Sequence, residues 1–150
     1  MASIETGSDF LERKSSANKQ RTALPQLSDV LVIDDSDVDA KRLSATLRII
    51  FGYDVQIRRA PTIATALDCI IKLQPDLVFL DDVLKPSDSA TETIPLLRRA
   101  DYKGPIIVVS GEVTRSRQVI LRASGATEVI HKDDVDSVRL TEALLLVYST

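Results

Sequence analysis

Three aspartates stand where this chain could do chemistry. Asp34 and Asp35 end the apolar run Val30-Leu31-Val32-Ile33, and Asp81 ends a second run, Leu77-Val78-Phe79-Leu80. Each run is a short aliphatic stretch of the kind that forms a strand covered on both faces of a sheet. If the two strands lie side by side and parallel, about 4.8 Å apart, the carboxylates at their C-terminal ends converge. Carboxylates that close raise one another's pKa and repel unless a cation sits among them. Mg2+ suits such a place, because it accepts one or two carboxylates, keeps several waters and leaves room for a phosphate oxygen. The acids therefore point to phosphoryl chemistry on a carboxylate.

Two more residues fall at strand ends on the same side: Ser110 in Val108-Val109-Ser110-Gly111 and Lys132 in Ile130-His131-Lys132. Lysine brings a flexible positive charge and serine a hydroxyl donor, and both suit an anionic ligand. Singly, each is weak evidence, since a strand-end serine is usually a cap and a lysine there usually reaches to water. With three acids in this order the set is specific.

The elements that must position these residues follow from periodicity. Apolar runs predict strands over 30–33, 54–58, 77–80, 106–109 and 128–130. Segments of helical period predict helices over 37–50, 61–73, 93–100, 114–124 and 135–147, with Pro61 in a first turn and Gly125 as a stop. Pro95 cannot sit in a helix interior, so the third helix is expected to start at Thr93 as N-cap, leaving a loop over 83–92. Five βα units make a doubly wound α/β domain, a flavodoxin-like (βα)5 sandwich. Right-handed crossovers give the parallel order 2-1-3-4-5, whose switch point lies between strands 1 and 3, where the acids are.

Composition narrows the function. With 150 residues, 44% of them hydrophobic, the chain supports one domain, read as 29–150 behind an extension over 1–28. The extension is either a solvated tail or a short helix over 8–17 anchored by Phe10 and Leu11. A net charge of −3 gives no basic footprint for nucleic acid. The single cysteine, Cys69, excludes an internal disulfide and reads as a buried thiol, and the single histidine, His131, cannot build a His-rich metal site. No apolar run approaches a membrane span and the N-terminus lacks the apolar stretch of a secretory leader, so a cytoplasmic protein is expected. The last helix carries Leu140, Ala143, Leu144, Leu145, Leu146, Val147 and Tyr148, a wider apolar arc than one buried face needs. A homodimer through the fourth helix, fifth strand and fifth helix is expected, with Leu144, Val147 and Tyr148 on its face.

On VLVIDD (Asp34, Asp35), PDLVFLD (Asp81), PIIVVSG (Ser110) and GATEVIHK (Lys132), the chain resembles the response-regulator receiver domains of two-component signalling, over 29 to about 148. The resemblance implies that Asp81 is the phosphoacceptor, taking its phosphoryl group from a sensor histidine kinase. It implies that Asp35, Asp81 and the main-chain carbonyl of Val83 hold Mg2+, with Asp34 acting through a water. Ser110 would move to a phosphoryl oxygen and Lys132 would neutralise developing charge. Because the chain stops at Thr150, it is read as a single-domain regulator, not an enzyme beyond its own phosphotransfer and dephosphorylation. It would signal by binding a kinase, a histidine phosphotransfer protein or a downstream regulator.

Some positions depart from the family pattern. Lys85 and Pro86 stand where Pro is usual one place earlier, and Ser89 replaces Gly, so the loop after Asp81 is expected to differ. Val129 replaces the aromatic usual before the lysine, and Asp133 the proline usual after it. These departures keep open a binding module that signals without phosphorylation. Asp82, beside Asp81, is the rival acceptor if the register slips. A further alternative is a haloacid-dehalogenase-like phosphatase using Asp35 in Asp35-Ser36-Asp37, with Lys132-Asp133-Asp134 as its later motif; Asp39 then stands where Thr or Val is expected.

Overall fold

The computed structural model describes residues 24–84 and 88–149. In chain order the elements are β1 (Asp29–Ile33), α1 (Asp37–Phe51), β2 (Gln56–Ala60), α2 (Ile63–Lys72), β3 (Leu77–Asp81), β4 (Val83–Leu84), β5 (Asp88–Ser89), α3 (Ala90–Arg99), β6 (Ile106–Ser110), α4 (Arg115–Ser124), β7 (Glu128–His131), a 3-10 turn (Lys132–Asp134) and α5 (Ser137–Tyr148). The main sheet is parallel in the order β2-β1-β3-β6-β7. This is the expected 2-1-3-4-5 order, with the small antiparallel β4–β5 pair adding to the count.

Period-two alternation along the central strands builds two cores. Leu31, Ile33, Val78, Leu80, Ile106 and Val108 face Ala66, Ile70, Ile94, Leu97 and Leu121 of α2, α3 and α4. Val30, Val32, Phe79, Ile107 and Val109 face Leu43, Leu47, Leu140 and Leu144 of α1 and α5. Burying each such side chain stabilises the fold by about 1.5–3 kcal/mol, so both layers are needed. Local chemistry marks the helix ends. Thr114 accepts from the Arg117 N–H at the start of α4, and Gly125 ends it at φ +116°, where a Cβ would also meet Ile94 Cγ2 at 3.0 Å.

Several expectations are corrected. α3 begins at Ala90, not Thr93, and Pro95 lies inside it. Ser89 caps the helix by accepting from the Thr91 N–H, and the Ala90 N–H donates to the Asp82 carbonyl. Starting there buries Ala90, Ile94 and Leu97 in one stripe, which offsets the hydrogen bond Pro95 cannot donate. The expected 83–92 loop thus contains β4 and β5, while Lys85 and Pro86 lie outside the described residues. β2 sits two residues later than expected because its pairing with β1 runs from Asp29–Gln56 to Ile33–Ala60. α5 starts at Ser137, since Lys132–Asp134 form the 3-10 turn and Asp136 is the N-cap.

Leu144, expected on a dimer face, is fully buried in the core, and Val147 and Tyr148 pack half-buried against the same cluster. Their spacing places them on the α5 stripe that covers the sheet; the exposed apolar residues of α5 are Val138 and Leu146. Leu24 and Leu27, within the segment read as an extension, are buried in the α1–α5 core. The helix expected over 8–17 with Phe10 and Leu11 lies outside the described residues. Cys69 is a free, half-buried thiol packed against the α2–α4 core. Among the described residues, no helix is long and apolar enough to cross a membrane.

Candidate functional site

β1 and β3 pair in parallel with Ile33 opposite Leu80, so the residues that follow each strand emerge together. One carboxylate oxygen each from Asp34, Asp35 and Asp81 lies within 4.8 Å of the others. Asp34 and Asp81 are 7% and 4% exposed. The Asp34 carboxylate accepts from the Ser36 N–H at 2.9 Å. Arg59 Nε donates to the Asp34 carbonyl at 3.2 Å, and the Asp34 N–H donates to the Ala60 carbonyl at 3.1 Å, so β2 steadies this corner.

Lys132 follows β7 and brings its Nζ to 3.4 Å from Asp81 Oδ1 and 3.9 Å from Asp39 Oδ2. The Val83 N–H also donates to Asp81 Oδ1, at 3.3 Å. Arg42 donates to the Lys132 carbonyl and anchors the backbone from which this lysine reaches. A cleft lined by Asp34, Asp39, Arg42, Asp81 and Lys132 opens beside the acids. Burial pushes the Asp34 carboxyl up to about 6; the Ser36 N–H works against that, and the charges of Asp81 and Asp39 add to it. Asp81 is likewise raised by burial, opposed by Lys132 and the Val83 N–H. Burial would lower Lys132, but the neighbouring carboxylates of Asp81, Asp34 and Asp39 outweigh it and its affinity for the proton rises. Burial thus makes negative charge costly at Asp34 and Asp81, and the protonated Lys132 offsets part of that cost.

Ser110 is placed at the end of β6 but turned to a different partner. It is 1% exposed, and its hydroxyl donates to Asp82 Oδ2 at 2.7 Å, with the Glu112 carbonyl at 2.9 Å as its other acceptor. Arg117 of α4 forks onto Asp82, Nε to Oδ2 at 3.0 Å and Nη2 to Oδ1 at 2.5 Å, and also donates to Ser89 Oγ at 3.0 Å. Burial would raise the Asp82 carboxyl, but the Arg117 and Ser110 hydrogen bonds hold it below its ordinary value. Asp82 stands outside the group formed by the other three acids. Val129 is buried in the α2–α4 core, and the Val83 side chain is 59% exposed at the edge of the site.

Sequence reasoning missed Asp39, Arg59 and Arg117. Asp39 carried a weak signal, since it lies in the first turn of α1, close in sequence to the acidic pair at the end of β1. Arg117 carried none, because its pairing with Asp82 spans thirty-five positions and depends on how α4 docks.

Comparison with known proteins bears on the family and the fold. The response regulator receiver domain model matches residues 30–145. The chain is 32% identical over 126 residues to a protein-glutamate methylesterase/protein-glutamine glutaminase of Syntrophotalea carbinolica, covering 81% of this chain and 34% of that protein. It is 33% identical over 107 residues to a second protein of that description from Methanosarcina acetivorans, covering 68% of this chain and 28% of that protein. The chain therefore spans about a third of the length of these curated relatives. Among solved structures, the chemotaxis response regulator CheY4 of Vibrio cholerae superposes with a TM-score of 0.69 at 23% identity, covering 81% of this chain and 98% of that one. The signal receiver domain of NarL from Mycobacterium tuberculosis superposes at 0.67 with 20% identity, covering 81% and 95%. These two likenesses speak to the fold, and the match to the family model speaks to descent. The chain belongs to the response regulator receiver domain family.

Proposed function

We propose that this receiver domain accepts a phosphoryl group on Asp81 from the phosphohistidine of a sensor histidine kinase and passes the signal on by protein–protein contact. The observation that supports this reading is the gathering of Asp34, Asp35 and Asp81 within 4.8 Å, with Lys132 Nζ 3.4 Å from Asp81. An oxygen of Asp81 attacks phosphorus and forms a P–O bond. The P–N bond of the donor breaks, its electron pair stays on the imidazole nitrogen, and that nitrogen takes a proton from solvent. Lys132 stays protonated and neutralises the oxygens of the transferring group. Three carboxylates, two of them buried, form a hard-oxygen donor set that fits Mg2+. Asp34, Asp35, Asp81 and the Val83 carbonyl would hold the ion, and when bound it supplies positive charge to the transferring phosphoryl group. Ser110 is the hydroxyl that reaches the acyl phosphate once it forms.

The partners of this reading are the kinase and a histidine phosphotransfer protein or downstream regulator, in the cytoplasm. A homodimer would use α4, β7 and α5, where the exposed Val138 and Leu146 line a groove with Val113 and Val129, and Val119 and Ile120 are exposed on α4.

Intact mass after incubation with acetyl phosphate and Mg2+ tests the acceptor, on wild type, Asp81→Asn, Asp82→Asn and Asp35→Asn, with an EDTA control. A single metal-dependent phosphoryl adduct, absent only where Asp81 or the metal site is removed, is the expected outcome. An adduct that survives Asp81→Asn refutes the assignment, and loss in Asp82→Asn alone transfers it to Asp82. An adduct retained in Asp81→Asn and lost in Asp35→Asn indicates phosphatase-like use of Asp35. No adduct with either acetyl phosphate or a phosphorylated kinase favours a module that signals without phosphorylation.

A further inference from the structure

The residue after the proposed acceptor is engaged in a way that the phosphoryl site does not require. Asp82 is nearly enclosed, yet it carries a full carboxylate whose oxygens receive the Arg117 fork and the Ser110 hydroxyl. Its backbone is held as well: the Asp82 N–H donates to the Val109 carbonyl and the Ala90 N–H donates to the Asp82 carbonyl. Arg117 Nη2 is shared with Ser89 Oγ, the N-cap of α3. One guanidinium thus joins the end of β3, the start of α3 and the first turn of α4.

We propose that Asp82 and Arg117 are positioning residues that hold the Ser110 hydroxyl away from Asp81, so that a phosphoryl group on Asp81 gains Ser110 only by loosening the anchor of α4. This rests on Asp81 being the phosphoacceptor. Ser110 has one hydroxyl proton, with Asp82 Oδ2 at 2.7 Å and the Glu112 carbonyl at 2.9 Å as its acceptors, and the charge-assisted bond to Asp82 is the stronger of the two. A phosphoryl oxygen must compete with that carboxylate for the same proton. The backbone from Ser110 leads through Gly111, Glu112 and Val113 into the Thr114 cap of α4, so a shift of Ser110 pulls on the helix from which Arg117 reaches back. Arg117 would then have to follow the helix or remain with Asp82, and either choice changes what the α4 surface presents. The arrangement is a two-state element, with Asp82 and the phosphoryl group as rival acceptors.

The test measures two responses on the full chain with Mg2+: the acetyl phosphate concentration that gives half-maximal adduct by intact mass, and amide hydrogen exchange along α4. In wild type, phosphorylation is expected to raise exchange in α4. In Asp82→Ala, and to a smaller extent in the isosteric Asp82→Asn, half-saturation is expected to fall roughly tenfold, the weight of one charge-assisted hydrogen bond. Exchange in α4 should already be raised in these variants without phosphodonor. The gain in half-saturation should vanish on a Ser110→Ala background, which a general loosening of the fold would not cause. If wild type is modified at Asp81 while Asp82→Asn and Asp82→Ala keep wild-type half-saturation and wild-type exchange, the latch is refuted and the acceptor stands. If wild type takes no phosphoryl group at all, the acceptor assignment falls and the latch falls with it.

Discussion

Replacing Asp34 by Asn removes a buried negative charge while keeping the side-chain oxygen that accepts from the Ser36 N–H at 2.9 Å. The Asp34 carboxyl sits at about 6 instead of the ordinary 3.8, first because of burial and then because of the charges of Asp81 and Asp39. A raised acid binds its proton more tightly in the folded protein than in the unfolded chain. The folded state therefore loses stability as pH rises through the window from 3.8 to about 6, and the penalty is complete above it. That gap corresponds to a cost of about 3 kcal/mol at neutral pH. Asp34→Asn should thus be more stable than wild type by about 2–3 kcal/mol at about pH 7.5 in EDTA, and the advantage should shrink toward nothing near pH 4. Urea unfolding followed by circular dichroism at the two pH values reads both numbers. Saturating Mg2+ should reverse the order, because the ion stabilises the form it binds and the variant has lost a carboxylate that helps to hold it. An Asp34→Asn protein no more stable than wild type at neutral pH without metal would refute the claim that burial and neighbouring charge make an ionised Asp34 costly to the fold.

Lys132→Ala should slow adduct formation from acetyl phosphate by roughly 10²-fold, since it removes the cation 3.4 Å from Asp81 while leaving the three acids in place; a rate within twofold of wild type in an intact-mass time course would exclude the role given to it. Leu144→Ala should destabilise the fold by about 2–5 kcal/mol, whereas Leu146→Ala on the outer face of α5 should change it by less than about 0.5 kcal/mol, as measured by urea unfolding. Equal losses at the two positions would mean that the packing of α5 differs from that described.

The sheet and its acids were legible because a strand buried on both faces leaves an unbroken apolar run that no other local structure explains as well. β1, β3 and β6 were read that way, and the gathering of the acids at the ends of β1 and β3 followed from parallel pairing at the switch point. Gly125 marked the end of α4 because a cap acts within a few residues of the backbone it satisfies. α3 was misread because Pro95 argued locally for a late start, while burial of Ala90, Ile94 and Leu97 outweighed the bond it cannot donate.

By itself, then, the sequence determined the strand order, the place of the site and the gathering of Asp34, Asp35, Asp81 and Lys132, all consequences of short-range pattern and a handed crossover. Only the tertiary structure decided where Ser110 donates, that Arg117 clasps Asp82, and that Leu144 faces the sheet. Those contacts join residues distant in the chain through side-chain geometry, and helix docking, which no local pattern encodes, determines which of several possible partners each one meets.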